Sequence, residues 1–202
     1  MSYIYLIRHG QTSWNLEERF QGTTNTELTE VGINQGKLLA KSLSKTKFEN
    51  IYSSPLKRAK ITADFIGSEV NCEVIEDLDF KEISFGDWEG LSTKEIREKY
   101  PWMDKWFDDT GLFQIPNGDV FEDEKNRLKE RLIKIAKESN GQNTAIVSHA
   151  GIIRLSLLAA LDLPLSYYWR FVLGNTSINI LEYHNGMFFL KSLNDTSHLL
   201  SK

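Results

Sequence analysis

Two of the four histidines stand where a sheet protein can do chemistry. His9 follows the apolar run of residues 3–8 and His149 follows the apolar run 144–148, and each has a glycine within two positions, Gly10 and Gly151, that lets backbone approach a ligand closely. In open α/β sheets, ligands collect beyond the carboxyl ends of the strands. Arg8 adjoins the first histidine, and Arg58 lies near the start of the helix that follows a strand at 48–53. If that strand neighbours the first, two guanidiniums and two imidazoles converge. Such a group repels itself unless an anion occupies it, and the planar fork of arginine suits phosphate oxygens. The ligand expected from these residues is a phosphoryl group.

Other chemistries lack their residues. His184 falls in an expected hairpin turn and His198 in a polar tail, so both are assigned to loops. There is no His-Glu-x-x-His, no cysteine pair and no Gly-x-x-x-x-Gly-Lys, so neither a metal, a cofactor nor a Walker-type phosphate loop is expected. The net charge is −4 and no basic run exceeds Lys57-Arg58, which argues against nucleic acid as a partner. Cys72 stands alone, so no intrachain disulfide can form, and the composition fits a reducing compartment. The opening residues lack a basic leader, and the apolar stretch Gly151 to Leu161 is broken by Arg154 and too short to span a bilayer. A cytoplasmic protein without membrane contact is expected.

The elements that must position these residues follow from periodicity. Residues 3–8, 48–53, 73–76 and 144–148 read as strands, and 177–183 with 187–193 as a hairpin across His184-Asn185-Gly186. Thr29 caps an amphipathic helix over 30–43, and Ser54-Pro55 supplies a cap and a first-turn proline for the next. A long charged helix covers 119–138, and another runs from His149 to about Leu161. Between them, residues 77–117 lose regularity and crowd eight aromatic side chains among acids, a candidate lid. Three of the five tryptophans fall between Trp88 and Trp106, either as ordinary packing or as an apolar wall for an organic leaving group. The alternation predicts an α/β fold, a three-layer α/β/α sandwich with a mostly parallel sheet and a helical lid insert.

Four motifs in order carry a family resemblance. Arg8-His9-Gly10-Gln11-Thr12 with Trp14-Asn15, then Ser54-Pro55-Leu56-Lys57-Arg58-Ala59, then Glu82-Ile83-Ser84-Phe85-Gly86-Asp87-Trp88-Glu89-Gly90, then Ser148-His149-Ala150-Gly151 closely resemble the histidine phosphatase, or phosphoglycerate mutase-like, superfamily. The resemblance covers nearly all of residues 1–202 and implies one domain. It implies that His9 is the nucleophile forming a phosphohistidine, that Arg8, Arg58 and a protonated His149 bind the phosphoryl oxygens, and that Glu82 is the proton donor. Asp87 and Glu89 stand nearby as alternative acids. Asn15, Gln21, Gly22 and Ala150 match positions lining the phosphate pocket. One departure is Asn117-Gly118-Asp119-Val120 where many relatives carry Gly-Gly-Glu-Ser; Asp keeps the charge at shorter reach and Val removes a hydroxyl.

The run Glu82 to Gly90 resembles the phosphatase version of the motif rather than the mutase version. The resemblance therefore implies a metal-independent phosphomonoesterase, with a phosphoglycerate mutase or a broad-specificity phosphatase as alternatives. From another class, a phospholigand-binding regulatory module would need neither His9 nor Glu82. Ile115-Pro116-Asn117-Gly118, Tyr167-Tyr168-Trp169-Arg170-Phe171 and Asn194 to Leu199 resemble α-ribazole phosphatases of cobalamin synthesis, making α-ribazole 5'-phosphate a candidate substrate. The expected partners are a small phosphomonoester and, as a candidate, a second copy of the chain.

Overall fold

The computed structural model describes residues 2–200; residues 1, 201 and 202, the ends of the expected 1–202 domain, lie outside the described residues. Six strands form one sheet: β1 (Ser2–Arg8), β2 (Phe48–Ser53), β3 (Val74–Glu76), β4 (Asn143–Ser148), β5 (Ile178–His184) and β6 (Met187–Asp195). Their order is β3-β2-β4-β1-β5-β6. The β1–β4, β4–β2 and β2–β3 pairs are parallel, and the β5–β6 hairpin adds an antiparallel edge to β1. β2 therefore does not neighbour β1. β4 lies between them, because its residues from Thr144 to Ser148 are all buried and require cover on both faces and both edges.

Among the described residues the α-helices are α1 (Ser13–Leu16), α2 (Glu30–Ser42), α3 (Lys57–Val70), α4 (Thr93–Lys99), α5 (Met103–Asp108), α6 (Phe121–Glu138) and α7 (Ala150–Ala160). Alternation along β1 sorts them into layers. Ile7, with Ile51, Ala145 and Val147, packs against Leu39 and Ala40 of α2 and Ala63 and Ile66 of α3. Ile4 and Leu6, with Ile146, face Leu128, Leu132 and Ile135 of α6 and Ile152 and Leu155 of α7. The α/β/α layering follows from that period of two.

Three local expectations change. α3 begins at Lys57 and is capped at Leu56 without a side-chain bond, because the Ser54 hydroxyl is engaged with His149 and the Leu56 N–H. The hairpin turn needs only Asn185 and Gly186, both with positive φ as a two-residue loop demands, so His184 closes β5. His198 is not in a solvated tail: it is 7% exposed, and its Nε2 meets the Thr176 hydroxyl at 3.0 Å.

Segment 77–117 supplies core as well as surface. Trp88, Ile96, Met103 and Trp106 are fully buried in the α6–α7 layer, with the Trp88 and Trp106 rings edge to face at 4.9 Å. For these two tryptophans the packing reading holds. Trp106 also meets Phe107, Phe121, Tyr168 and Trp169. Trp106→Ala should therefore cost about 3–5 kcal/mol of stability, as for other large-to-small core changes. Urea unfolding measures it, and a cost under about 1 kcal/mol would mean the segment does not share the core.

Candidate active site

Parallel register places the two histidines side by side. Arg8 of β1 pairs with Ser148 of β4, so His9 and His149 leave their strands together, with ring centroids 5.1 Å apart. On the other edge of β4, Ser53 pairs with Val147, and the Ser54 N–H continues onto the Val147 carbonyl at 3.0 Å. Arg58, in the first turn of α3, thus reaches the same end from across β4. Convergence did not require β2 to touch β1, since the strand between them carries the second histidine.

Hydrogen bonds set the protonation of both rings. His9 Nδ1 lies 2.6 Å from the Gly10 carbonyl, an acceptor only, so Nδ1 carries the proton and Nε2 a lone pair. Burial, joined by the Arg58 and Arg8 charges, pushes the His9 imidazole well below its ordinary 6.5. His149 is 0% exposed, and its Nδ1 accepts from the Arg58 Nε–H at 3.1 Å, so its proton sits on Nε2, which donates to Ser54 Oγ at 2.7 Å. Burial, with Arg58 beside it, pushes this ring well below 6.5 too. These hydrogen bonds favour a neutral His149 ring over the protonated one that the resemblance implies.

A cavity of about 250 Å³ opens over these groups, lined by Arg8, His9, Asn15, Gln21, Gly22, Arg58, Glu82 and Ala150 among others, with His149 outside that lining. Arg8 donates through Nη1 to the Leu173 carbonyl, while its buried Nε has no partner among the described residues. Arg58 donates to the carbonyls of Thr24 and Gly22 at 2.7 and 2.8 Å. Burial pushes both guanidiniums down to about 10, which leaves them charged at neutral pH. The Asn15 amide oxygen accepts from Thr12 N–H and Asn175, and that of Gln21 from the hydroxyls of Thr12 and Thr26. Each amide keeps an NH2 group for a further acceptor. Together these donors suit a tetrahedral oxyanion.

Glu82 enters from the other side, 8% exposed. Its Oε2 accepts from the Gly151 N–H and its Oε1 from the Ile152 N–H, each at 3.1 Å, so this distant carboxyl caps α7. A side chain at Gly151 would place Cβ 2.5 Å from Glu82 Oε1, and one at Gly10 would meet the Gly32 carbonyl at 2.5 Å. Both glycines thus admit other parts of this chain. Burial raises the Glu82 pKa above the ordinary carboxylate range, outweighing Arg58 and the three backbone N–H groups, which act to lower it.

The other acids near the motif are occupied elsewhere. Glu89 accepts from the Thr23 N–H at 2.9 Å and the Thr24 hydroxyl at 2.8 Å, bracing the turn at Gly22, whose φ is +52° and whose added Cβ would lie 2.0 Å from Glu89 Oε1. Asp87 accepts from Asn117, and Asp119 from the Ser84 N–H at 2.6 Å, tying down the loop that follows Glu82. Neither they nor Glu89 line the cavity. Its apolar wall is Phe20, Phe85, Phe107 and Trp169 rather than the tryptophans of 88–106.

Some groups that support or line the site were not legible in the sequence. The Asn175 side chain and the Thr176 N–H both donate to the His9 carbonyl at 3.2 Å, and Thr176, a β-branched residue, adopts φ +56° to do so. No motif marked them. Arg154 does have a signal, as the one charge in an apolar helix, four residues after Ala150. Among the described residues no cluster of three metal-ligating side chains forms, and no helix is long and apolar enough to cross a membrane.

Residues 4–196 match the family described as Histidine phosphatase superfamily (branch 1). Phosphoserine phosphatase 1 of Hydrogenobacter thermophilus is 34% identical over 200 residues, 98% of this chain and 95% of that one. The metal-independent phosphoserine phosphatase of Arabidopsis thaliana is 36% identical over 202 residues, 98% of this chain and 83% of that one. A crystal structure of a mutant phosphoserine phosphatase from Entamoeba histolytica, in complex with phosphoserine, superposes with a TM-score of 0.90 at 35% identity, covering 98% of this chain and all of that one.

The two tautomers can be read directly. Nitrogen-15 NMR of the imidazoles at pH 7 should report His9 as the Nδ1–H form and His149 as the Nε2–H form, and a cationic pattern for either ring at that pH would overturn the assignment. Their depressed values also fix a sign. The unfolded chain takes up these protons first, so stability should fall as pH drops below about 6.5.

Proposed function

Because the chain belongs to the histidine phosphatase superfamily (branch 1), we propose that it is a metal-independent phosphomonoesterase working through a phosphohistidine on His9, with phosphoserine as its substrate. One observation carries the mechanism: the Nδ1–H of His9 is held by a backbone carbonyl, leaving the Nε2 lone pair in a cavity that two guanidiniums share with a carboxyl of raised pKa. That is a nucleophile, an oxyanion clamp and a proton donor.

In the first step His9 Nε2 attacks phosphorus, the P–O ester bond breaks, and protonated Glu82 gives its proton to the departing oxygen. Arg8 and Arg58, with the free amides of Asn15 and Gln21, hold the three equatorial oxygens as charge spreads onto them. In the second step water attacks the phosphohistidine, Glu82 carboxylate takes the water proton, and the P–N bond breaks to release inorganic phosphate and restore His9. His149 orients Arg58 through its Nδ1. A neutral His9 is available across the physiological range, since its pKa lies well below 6.5.

The names of the relatives favour phosphoserine over the α-ribazole phosphate suggested by the tail motifs. Segment 77–117 contributes Phe85, Thr93 and Phe107 to the substrate side of the cavity, which supports its reading as a specificity insert. Half-buried Cys72, the single cysteine, suits a reducing, cytoplasmic setting.

Incubation with phosphoserine in EDTA should release inorganic phosphate, and rapid quench should trap an acid-labile, base-stable phosphoenzyme that His9→Ala abolishes. Binding without release would identify a regulatory module instead, and transfer of the phosphoryl group between positions of phosphoglycerate a mutase. More than about a hundredth of wild-type turnover in His9→Ala would remove it as nucleophile.

Glu82→Gln should slow phosphoserine turnover by about 10²–10⁴-fold and p-nitrophenyl phosphate far less in single turnovers, because p-nitrophenolate departs without a proton. Wild-type single-turnover rates on phosphoserine should fall as pH rises through the elevated Glu82 value. Equal losses on the two substrates would show that Glu82 does not protonate the leaving group.

A further inference from the structure

α7 carries one feature that hydrolysis of a simple phosphomonoester does not use. From Gly151 to Ala160 every residue is buried except Arg154, the only charge in the helix. It stands on the same face as Ala150 and Gly151, and all three line the cavity. Its Nε–H donates to the Phe171 carbonyl at 3.0 Å, and its guanidinium carbon lies 4.6 Å from the Trp169 ring centroid and 5.4 Å from that of Tyr168. The group is thus stacked, anchored at one nitrogen and stripped of much of its water.

It has no anionic partner. Among the described residues no carboxylate lies within ion-pair distance of Arg154, whereas Arg19, another arginine at the cavity, is paired with Glu17 and Glu95. Arg154 is close enough to Arg8 that their charges oppose one another. A phosphoryl dianion balances Arg8 and Arg58 and leaves the third guanidinium unmatched. Its edge away from the Nε anchor offers the two parallel N–H donors that a carboxylate accepts.

We propose that Arg154, stacked on Trp169, receives a carboxylate carried by the leaving group, so that this cavity selects phosphomonoesters of small carboxylic acids. The inference rests on the phosphatase reading of the same site and adds the part of the substrate beyond the phosphoryl group. A lysine here would supply charge without the stacked, two-pronged geometry. The aromatic wall lowers the effective dielectric around the pair and strengthens it.

Two matched substrate pairs test this. Phosphoserine against phosphoethanolamine, and 3-phosphoglycerate against glycerol 3-phosphate, each differ by the carboxylate. In the wild type both ratios of kcat/KM should exceed about 30 in favour of the acid, on the scale of one charge-assisted bidentate contact. Arg154→Met, which keeps the stem over Trp169, should bring both ratios close to one, and Arg154→Lys should restore them in part. Ratios near one in the wild type would overturn the inference without any variant. So would an Arg154→Met protein that loses activity equally on both members of each pair, since that would place Arg154 on the phosphoryl group or in the fold. If instead phosphoserine is a poor substrate while the phosphoglycerate pair keeps its Arg154-dependent ratio, the phosphoserine reading fails and the carboxylate subsite stands.

Discussion

Arg58 is a guanidinium buried to 0% exposure with no carboxylate bonded to it, and much of the site is arranged around that charge. An unpaired buried cation costs several kcal/mol even after relaxation. It is offset by dipoles: the carbonyls of Gly22 and Thr24, and the lone pair of His149 Nδ1. Each of those partners is thereby constrained. The two carbonyls hold the turn at Gly22 against the cavity, with Glu89 bracing it from outside. The imidazole keeps Nδ1 unprotonated and donates its Nε2–H to Ser54. That in turn takes Ser54 from capping α3, and the helix starts at Lys57.

The same positive field tunes the two groups that exchange a bond and a proton in the proposed mechanism. For His9, burial and both arginines act in one direction, toward a neutral ring. For Glu82 they oppose, and burial prevails over Arg58 and the α7 amides, so the carboxyl holds its proton more tightly than in water. A neutral imidazole beside a protonated acid is the pairing that nucleophilic attack on a phosphoester requires. Burial is thus the larger influence on both groups, with the arginine charges adding to it at His9 and opposing it at Glu82.

Rigidity at the reacting end comes from three separate stretches of chain. The Arg8-His9-Gly10 loop is packed against α2, hung from β4 through the His9 N–H and Ser148 carbonyl at 3.0 Å, and held by Asn175 and Thr176 from the far side. Thr176 takes a strained left-handed backbone there, and buried His198 supports its hydroxyl from near the C-terminus. Residues at 9, 176 and 198 thus form one structural unit.

The sequence by itself determined the elements and the family. Short apolar and alternating runs marked the strands, helical spacing marked α2 and α6, and four short motifs named the charged and nucleophilic residues at the centre of the cavity, Arg8, His9, Arg58 and Glu82, because local patterning and motif order are properties of the chain alone. Only the tertiary structure decided strand order, and with it the fact that β4 stands between β1 and β2. It alone gave His149 a neutral tautomer, sent Glu89 to a structural turn, and assembled the apolar wall from Phe20, Phe85, Phe107 and Trp169. Those outcomes depend on burial, on which donor meets which acceptor, and on distances between residues far apart in the chain. A buried arginine with carbonyls for company cannot be told in sequence from a solvated one; the field it creates exists only once the water has gone.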